Sequence, residues 1–564
     1  MTSRPLPTQK MTSNSSPQFP STPSTPSSEL LASIPDRATE AVKDAAADGR
    51  FDVAFIAAVT SGDLDIAVDV LRVGWFEMLR DENLRDVREA LDRLSTSDLK
   101  SRPLLAMMLG LAYNADGLRR SKAVYYFGLA ASGVRSHPER MDPVQRALVL
   151  ASESSALRLL GRTQLAVSSA RSALRALDAI HEERWTLVGY LPRVYSQLGM
   201  SLYYGGHEAE ALHVFTRGYS EAGPSDRSSF GNLSMVAGVH AFAGNLDEAA
   251  PYVALAREDI WTDQQRSMYV GTFYRLAEAL LALERFDTAE ARRHLAAMVH
   301  DRRTVEHWVA IAHMEALVGL VDHNAADSLA ALDAYAVSRG AEGSSRYARQ
   351  HLSSIRSLLH IALGNYDAAA RILRSDAGNT PQNHVDRARL ALATDRSSDA
   401  IREVRAAAGH PQSARTLAEA LSIEAAVGLR SGLGRRTSSV LLQLAAVLRR
   451  SGQRLALHLL PESDFDAVVA ALERAGAGDV LEPRASAPLL PMLERPALTP
   501  REHMVLNALV RHGAVSDVAR ELQVSTNTAK SHLKSLYRKL GARNRDQALT
   551  VALHTHLITG ADGD

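Results

Sequence analysis

The chain has 564 residues, 46% of them hydrophobic and 23% charged, with a formal net charge of zero and no cysteine. That length exceeds one ordinary hydrophobic core, so two or more domains are expected. The missing thiols exclude disulfides, Cys-ligated zinc, iron–sulfur clusters and a cysteine nucleophile, and overall neutrality confines any nucleic-acid site to a local patch.

Residues 1–34 are dominated by Ser, Thr and Pro, with few large apolar groups. Such a segment cannot offset its ordering entropy by burial and is expected to be disordered; Met1 and Met11 are both open as starts. It lacks the apolar core of a signal peptide. The longest apolar run, Leu104 to Tyr113, is about half a membrane span. The expectation is a soluble, cytoplasmic protein with no membrane partner.

From 35 to 475 the chain reads as helix after helix. Ala, Leu, Arg and Glu dominate, apolar residues recur at three- and four-residue steps, and neither an alternating strand nor a βαβ rhythm occurs. A short motif, Gly followed five residues later by Ala, recurs as GDLDIA (Gly62–Ala67), GRTQLA (Gly161–Ala166), GHEAEA (Gly206–Ala211), GNLDEA (Gly244–Ala249) and GNYDAA (Gly364–Ala369). ERFDTA (Glu284–Ala289) reads as the same turn without its glycine, and a fainter copy is placed near His323. Glycine ends one helix in a left-handed conformation, and the small alanine lets the next helix pack closely on the first. The spacing is 38 residues from Gly206 to Gly244 and 40 from Gly244 to Glu284. A period of this size predicts a solenoid of helical hairpins.

In Leu198, Gly199, Tyr203 and Ala211 the region resembles the tetratricopeptide-repeat class. The longer period is closer to the helical superhelix of the large MalT-like bacterial activators. Stacked hairpins expose a concave surface suited to an effector peptide, protein or small molecule. Tyr203, Tyr204, Trp261, Tyr269, Tyr274 and Trp308 are candidates to line it, with core packing as the competing role.

MalT-like activators carry a nucleotide-binding domain ahead of their repeats. Here no G-x-x-x-x-G-K-[ST] motif occurs and no lysine lies between Lys122 and Lys530, so no ATPase is expected. His181–Arg184 (HEER) lacks the second histidine of a zinc motif. His307 and His313, six residues apart, do not share one helical face. The expectation is no metal, no cofactor and no enzyme.

Residues 476–496 hold all four prolines between Ala475 and Ala497 and little periodicity; they read as a linker.

The last segment, 497–564, is a separate module. Thr499, Pro500 and Glu502 spell a capping box with proline at the first helical position, and Leu498 is placed to staple onto His503 or Met504. Gly513 is expected to close this helix. A second helix spans about Val515 to Leu522, a third runs from Thr526 to Leu540 after a Ser525 cap, and a fourth covers about Arg545 to His556. Two short helices, a tight turn and a polar third helix describe a helix-turn-helix. At about 100° per residue, Ala529, Leu533, Leu536 and Leu540 share one face of the third helix. Asn527, Lys530, Ser531, Lys534 and Arg538 lie opposite, with Thr528, His532, Ser535 and Lys539 along one flank. Three of the chain's seven lysines fall in this helix, and Leu498 to Thr559 holds nine Lys or Arg against four Asp or Glu. Such a face suits phosphates and base edges in a major groove.

These residues, with Val505-Leu506, Val518-Ala519, Leu522, Val524-Ser525 and Arg538-Lys539-Leu540-Gly541, resemble the LuxR/GerE-type DNA-binding domain. The resemblance implies that the third helix enters the major groove and that the fourth helps pair two modules on DNA. By that likeness Lys530, Ser531 and Lys534 are base readers, with Asn527 on the same face. Thr526, Thr528, His532, Arg538 and Lys539 are phosphate candidates, and packing is as good a role for His532. Arg543 and Arg545 are read as surface caps of the last helix, and Ala548 and Ala552 as either dimer or core residues. Gly513-Ala514 and Ala529 depart from the family pattern: the first weakens the cap of the second helix, the second shrinks a core contact.

The sequence thus predicts an all-α protein: a tetratricopeptide-like solenoid followed by a four-helix LuxR-type helix-turn-helix domain. The implied function is a transcriptional regulator that binds promoter DNA as a homodimer, acts through RNA polymerase, and senses an effector or docks a partner with its repeats. The alternative is an interaction scaffold that uses its helix-turn-helix for docking.

Overall fold

The structure is a computed structural model that describes residues 38–78, 81–115, 120–136, 141–180, 191–221, 227–258, 261–298, 306–375, 378–432, 434–481, 488–490, 498–554 and 557–558. The N-terminal segment expected to be disordered lies outside the described residues. Among those described there is no strand, only an isolated bridge between Pro461 and Leu490, so the fold is all-α. No helix among them is long and apolar enough to cross a membrane. The chain divides into two compact units, Met1–Tyr190 and Leu191–Asp564, a division that falls inside the segment read as one repeat domain.

Both units are built from antiparallel helical hairpins. In the first, Pro103–Ala115 pairs with Arg120–Ser136, and Pro143–Leu159 with Thr163–Asp178. In the second, successive pairs run from Leu191–Tyr204 with Glu208–Ser220 to Ala414–Arg430 with Arg435–Ser451. The turns take the conformation their sequence asks for: Gly62, Gly161, Gly206, Gly244 and Gly364 all have φ between 71° and 85°. Ala67, Ala166, Ala211, Ala249 and Ala369, five residues on, are fully buried.

The glycine-free turn needs a change of register. Its left-handed residue is Phe286 (φ 55°), not Glu284, and the buried alanine five residues on is Ala291. The same backbone pattern identifies it: Asp287 N–H donates to Ala282 O as Asn245 N–H donates to His240 O. His323 (φ 56°) makes the fainter copy, and Asp395 (φ 59°) and Gly432 (φ 98°) add two turns that the motif did not reveal.

Packing between the two helices of a hairpin is matched across the turn. Where Ser328 and Thr437 replace the usual alanine, the facing residue of the first helix is glycine. A Cβ on Gly319 would meet Ser328 Oγ at 1.9 Å, and one on Gly428 would meet Thr437 Oγ1 at 2.6 Å and Cγ2 at 2.9 Å. Gly199 makes room in the same way for the ring of Phe215.

The second unit closes on itself. Helices Phe230–Ala243 and Leu246–Glu258 touch Ala414–Arg430 and Arg435–Ser451. Arg415 Nε donates to Phe242 O (3.2 Å). Glu284, 3% exposed, accepts from the backbone N–H groups of Arg454 (2.6 Å) and Leu455 (2.7 Å) and pairs with Arg415 (3.4 Å). A buried carboxylate is tolerated because charged donors and backbone dipoles satisfy it together.

Part of the expected linker is packed structure. Val480 is fully buried, Leu489 and Leu490 join the apolar core, and Leu489 N–H donates to His458 O (2.8 Å). Apolar burial and a backbone hydrogen bond therefore fix points that proline content alone suggested were free.

Gly428→Ala is expected to destabilise the second unit by about 1–2 kcal/mol, despite alanine's better helix propensity, because β-branched Thr437 cannot turn both branches away. Gly428→Ala/Thr437→Ala should recover that loss. Denaturation midpoints of the three proteins check this; equal midpoints for wild type and single variant would refute the packing argument.

Candidate nucleic-acid interface

The C-terminal module is set up by its caps. Thr499 Oγ1 accepts from Glu502 N–H while Glu502 accepts from Thr499 N–H, so the capping box is complete and starts Pro500–Arg511. The helix ends at His512 in extended backbone; Gly513 does not take the left-handed conformation expected of it. Ala514 offers no side-chain cap to Val515–Glu521, as its chemistry predicts. Gln523 (φ 52°) makes the turn, and Ser525 Oγ accepts from Thr528 N–H (3.1 Å) to start Thr526–Leu540, which stops at left-handed Gly541. Arg545–His554 follows.

Ala529, Leu533, Leu536 and Leu540 are buried, so the apolar stripe of the third helix faces the module's core. Thr526, Asn527, Thr528, Lys530, Ser531, Lys534 and Arg538 are exposed, while His532 is half-buried at the boundary. The structure thus brings the exposed stripe together on one helix face.

Lys539 stands apart from it. Its Nζ donates to Glu502 Oε2 (2.8 Å) in the first helix, where Ser535 Oγ also donates to Oε1 (3.0 Å). Glu502, 6% exposed, is held by Lys539 and then by the Thr499 N–H well below the usual carboxylate range, down to about 2. The sequence could not separate Lys539 from its neighbours, because its partner lies 37 residues away. Arg545 likewise is no cap of its own helix: its guanidinium donates to Leu509 O (3.1 Å) at the end of the first helix. Ala548 and Ala552 are fully buried in the core. Met504 is 44% exposed, and Leu498 is partly buried against the module core.

All four acids between Leu498 and Thr559 are used. Glu502 pairs with Lys539, Asp517 with Arg520, Glu521 with Arg511 and His512, and Asp546 with Arg545. Among the described residues this leaves Arg501, Lys530, Lys534, Arg538 and Arg543 without an ion pair, and all of these but Arg501 line one groove of about 470 Å³ with Val515 and Tyr537. Arg543 was read from the sequence as a helix cap. Its backbone N–H does bond Gln547 Oε1 (2.8 Å), and the residue also lines the groove. The turn at Gly541 carries it there, a signal visible only once that turn is placed.

The aromatic candidates of the repeats divide. Trp261, Tyr274 and Trp308 are core residues, at most 4% exposed. Tyr203, Tyr204 and Tyr269 are half-buried and gather around His307. Tyr204 Oη lies 2.5 Å from His307 Nδ1, and the rings of Tyr204 and Tyr269 stack on the imidazole at 5.9 and 5.0 Å. Burial pushes His313 down to about 4, so it is neutral at pH 7.

Comparison with known proteins bears on the module. The family described as "Bacterial regulatory proteins, luxR family" matches residues 496–552. The transcriptional regulatory protein YdfI of Bacillus subtilis (strain 168) is 40% identical over 62 residues, 11% of this chain and 29% of that protein. The CsgBAC operon transcriptional regulatory protein of Escherichia coli (strain K12) is 41% identical over 59 residues, 10% of this chain and 27% of that protein. The chain therefore spans less than a third of the length of these two regulators. It spans 80% of the spore germination protein GerE of Bacillus subtilis (strain 168), at 36% identity over 59 residues and 10% of this chain. Among solved structures, the APC/C hetero-tetramer Cut9-Hcn1 aligns over 81% of this chain and 99% of that chain, at 14% identity and a TM-score of 0.32. The helical-hairpin description rests on the turns themselves.

The depressed Glu502 has a pH signature. Its contribution is complete above its ordinary pKa of 4.5 and is lost as the pH falls from there toward about 2. Glu502→Gln should destabilise the module by about 1–3 kcal/mol at pH 7 and flatten its acid-side stability slope. Hydrogen exchange of the amides of residues 498–554 across this range is the measurement. An unchanged slope in the variant would show that another group carries it.

Proposed function

The chain belongs to the luxR family of bacterial regulatory proteins, and from that premise we propose that it is a DNA-binding transcriptional regulator. The observation that carries this reading is the cationic face with no ion pair among the described residues: Lys530, Lys534 and Arg538 on the third helix, with the four carboxylates between Leu498 and Thr559 engaged elsewhere. A row of cations with no internal counter-charge is the electrostatic footprint of a phosphate backbone.

In this reading Lys530, Ser531 and Lys534 meet base edges in the major groove. Asn527 lies beside them. Thr526, Thr528 and Arg538 contact phosphates, and Arg543 joins them from beyond Gly541. Lys539 acts through the first helix, holding the third helix in place by its bond to Glu502. His532, half-buried, seats that helix against the module. Two modules pairing on DNA would meet through the outward side of the last helix, because Ala548 and Ala552 are consumed by the core. Recruitment of RNA polymerase is then the output, and the repeat units supply the input by sensing an effector or docking a partner.

Lys530→Ala and Lys534→Ala should each weaken specific binding by about 1–3 kcal/mol, and loss of a phosphate contact should reduce the slope of log K against log salt by about 0.9. Titration of the full-length protein with its own upstream DNA at several salt concentrations tests both. Fragment selection that finds no preferred site, with the double variant binding as wild type does, would favour the scaffold role instead.

A further inference from the structure

We propose that the first unit holds a binding cleft for a small amphipathic anion, a carboxylate or phosphate ester on an apolar chain. The cleft lies between Pro143–Leu159 and Thr163–Asp178, beside the end of Arg120–Ser136, and encloses about 650 Å³. That volume is in the range of small-molecule sites.

Its two halves follow from helical spacing. Arg146, Leu150, Glu153 and Leu157 fall on one face of their helix, and Leu165, Ser169, Ser172 and Arg175 on one face of the next. Val134, Leu150 and Leu157 supply an apolar floor. Leu165 stands at the rim 54% exposed, an apolar side chain that gains from being covered.

The charges around this floor do not balance. Glu153, 6% exposed, accepts from Arg135 Nη2 (2.5 Å) and Ser169 Oγ (2.5 Å), so its negative charge is already matched. Arg146 is half-buried and has no ion pair among the described residues. Among the described residues Arg175 donates to Ser172 Oγ (3.0 Å) and has no carboxylate partner. Two guanidiniums without a carboxylate partner among the described residues, on half-buried Arg146 and exposed Arg175, therefore line one cleft with an apolar floor. Guanidinium forks suit carboxylate and phosphate oxygens, which would supply the missing counter-charge. The apolar floor and the buried Glu153 distinguish the cleft from a nucleic-acid track, which needs an extended row of cations without carboxylates. This inference deepens the sensing half of the proposed function and rests on that reading only for its regulatory consequence.

The test is calorimetric titration of the full-length protein, without DNA, with octyl phosphate, octanoate, octanol and inorganic phosphate, all below micellar concentration. The two anionic amphiphiles should bind once per chain, about tenfold or more tighter than octanol or free phosphate. The tighter of the two identifies the head group. Arg146→Gln and Arg175→Gln should each weaken that binding about tenfold without lowering the melting temperature of the free protein, and Arg146→Lys should restore part of it. The proposal fails if no probe binds, if octanol binds as well as the anions, or if both glutamine variants bind as wild type does. Because no DNA is present, such failure leaves the DNA-binding reading to stand or fall on Lys530 and Lys534.

Discussion

Each hairpin of the repeats depends on one constraint: the chain must reverse within a few residues while the second helix lies directly against the first. A left-handed residue at the reversal and a small residue five positions later meet both demands. Glycine makes the first cheap, and for most turns it is present. Phe286, His323 and Asp395 do without it and bear a backbone cost of about 1–2 kcal/mol each. At Phe286 the surroundings show what offsets that cost. Its ring lies 4.4 Å from that of His458, whose carbonyl in turn accepts from Leu489. Glu284, two residues earlier, clasps Arg454 and Leu455. Of the three turns without glycine, the one at Phe286 stands where the second unit closes.

Electrostatics organise the C-terminal module as tightly as turns organise the repeats. Its positive excess is not spread evenly. Lys539, Arg511, Arg520 and Arg545 hold the scaffold together by pairing with the four carboxylates. Of the five cations left over, Lys530, Lys534, Arg538 and Arg543 are gathered on the groove beside the third helix. Scaffold and interface thus draw on the same residue types, and only partner geometry tells them apart.

That division marks what could be read in advance. The all-α class, the recurring turns, the Thr499–Glu502 capping box and the two faces of the third helix are local, so spacing alone reveals them. The register of the Glu284–Ala291 turn was misplaced because phenylalanine gives no hint of a left-handed backbone. The roles of Lys539 and Arg545 were illegible because their partners, Glu502 and Leu509, lie far off in sequence. The aromatic residues illustrate the same limit: nothing local distinguishes Tyr203 and Tyr204, which reach a shared cluster with His307, from Tyr274, which is core.

The anchoring of Leu489 and Leu490 alters the reach of the DNA-binding module. Were the chain free from Gly476 onward, some twenty-two residues would precede Leu498, and their contour would approach about 75 Å. With Leu490 fixed in the repeat core, eight peptide steps remain, or about 28 Å at full extension. A module confined to so small a volume experiences its own repeat unit at an effective concentration in the millimolar range or above. Contacts between the two far too weak to detect in separated pieces can then govern how often the basic face is available, so a ligand needs to shift only a shallow equilibrium to act.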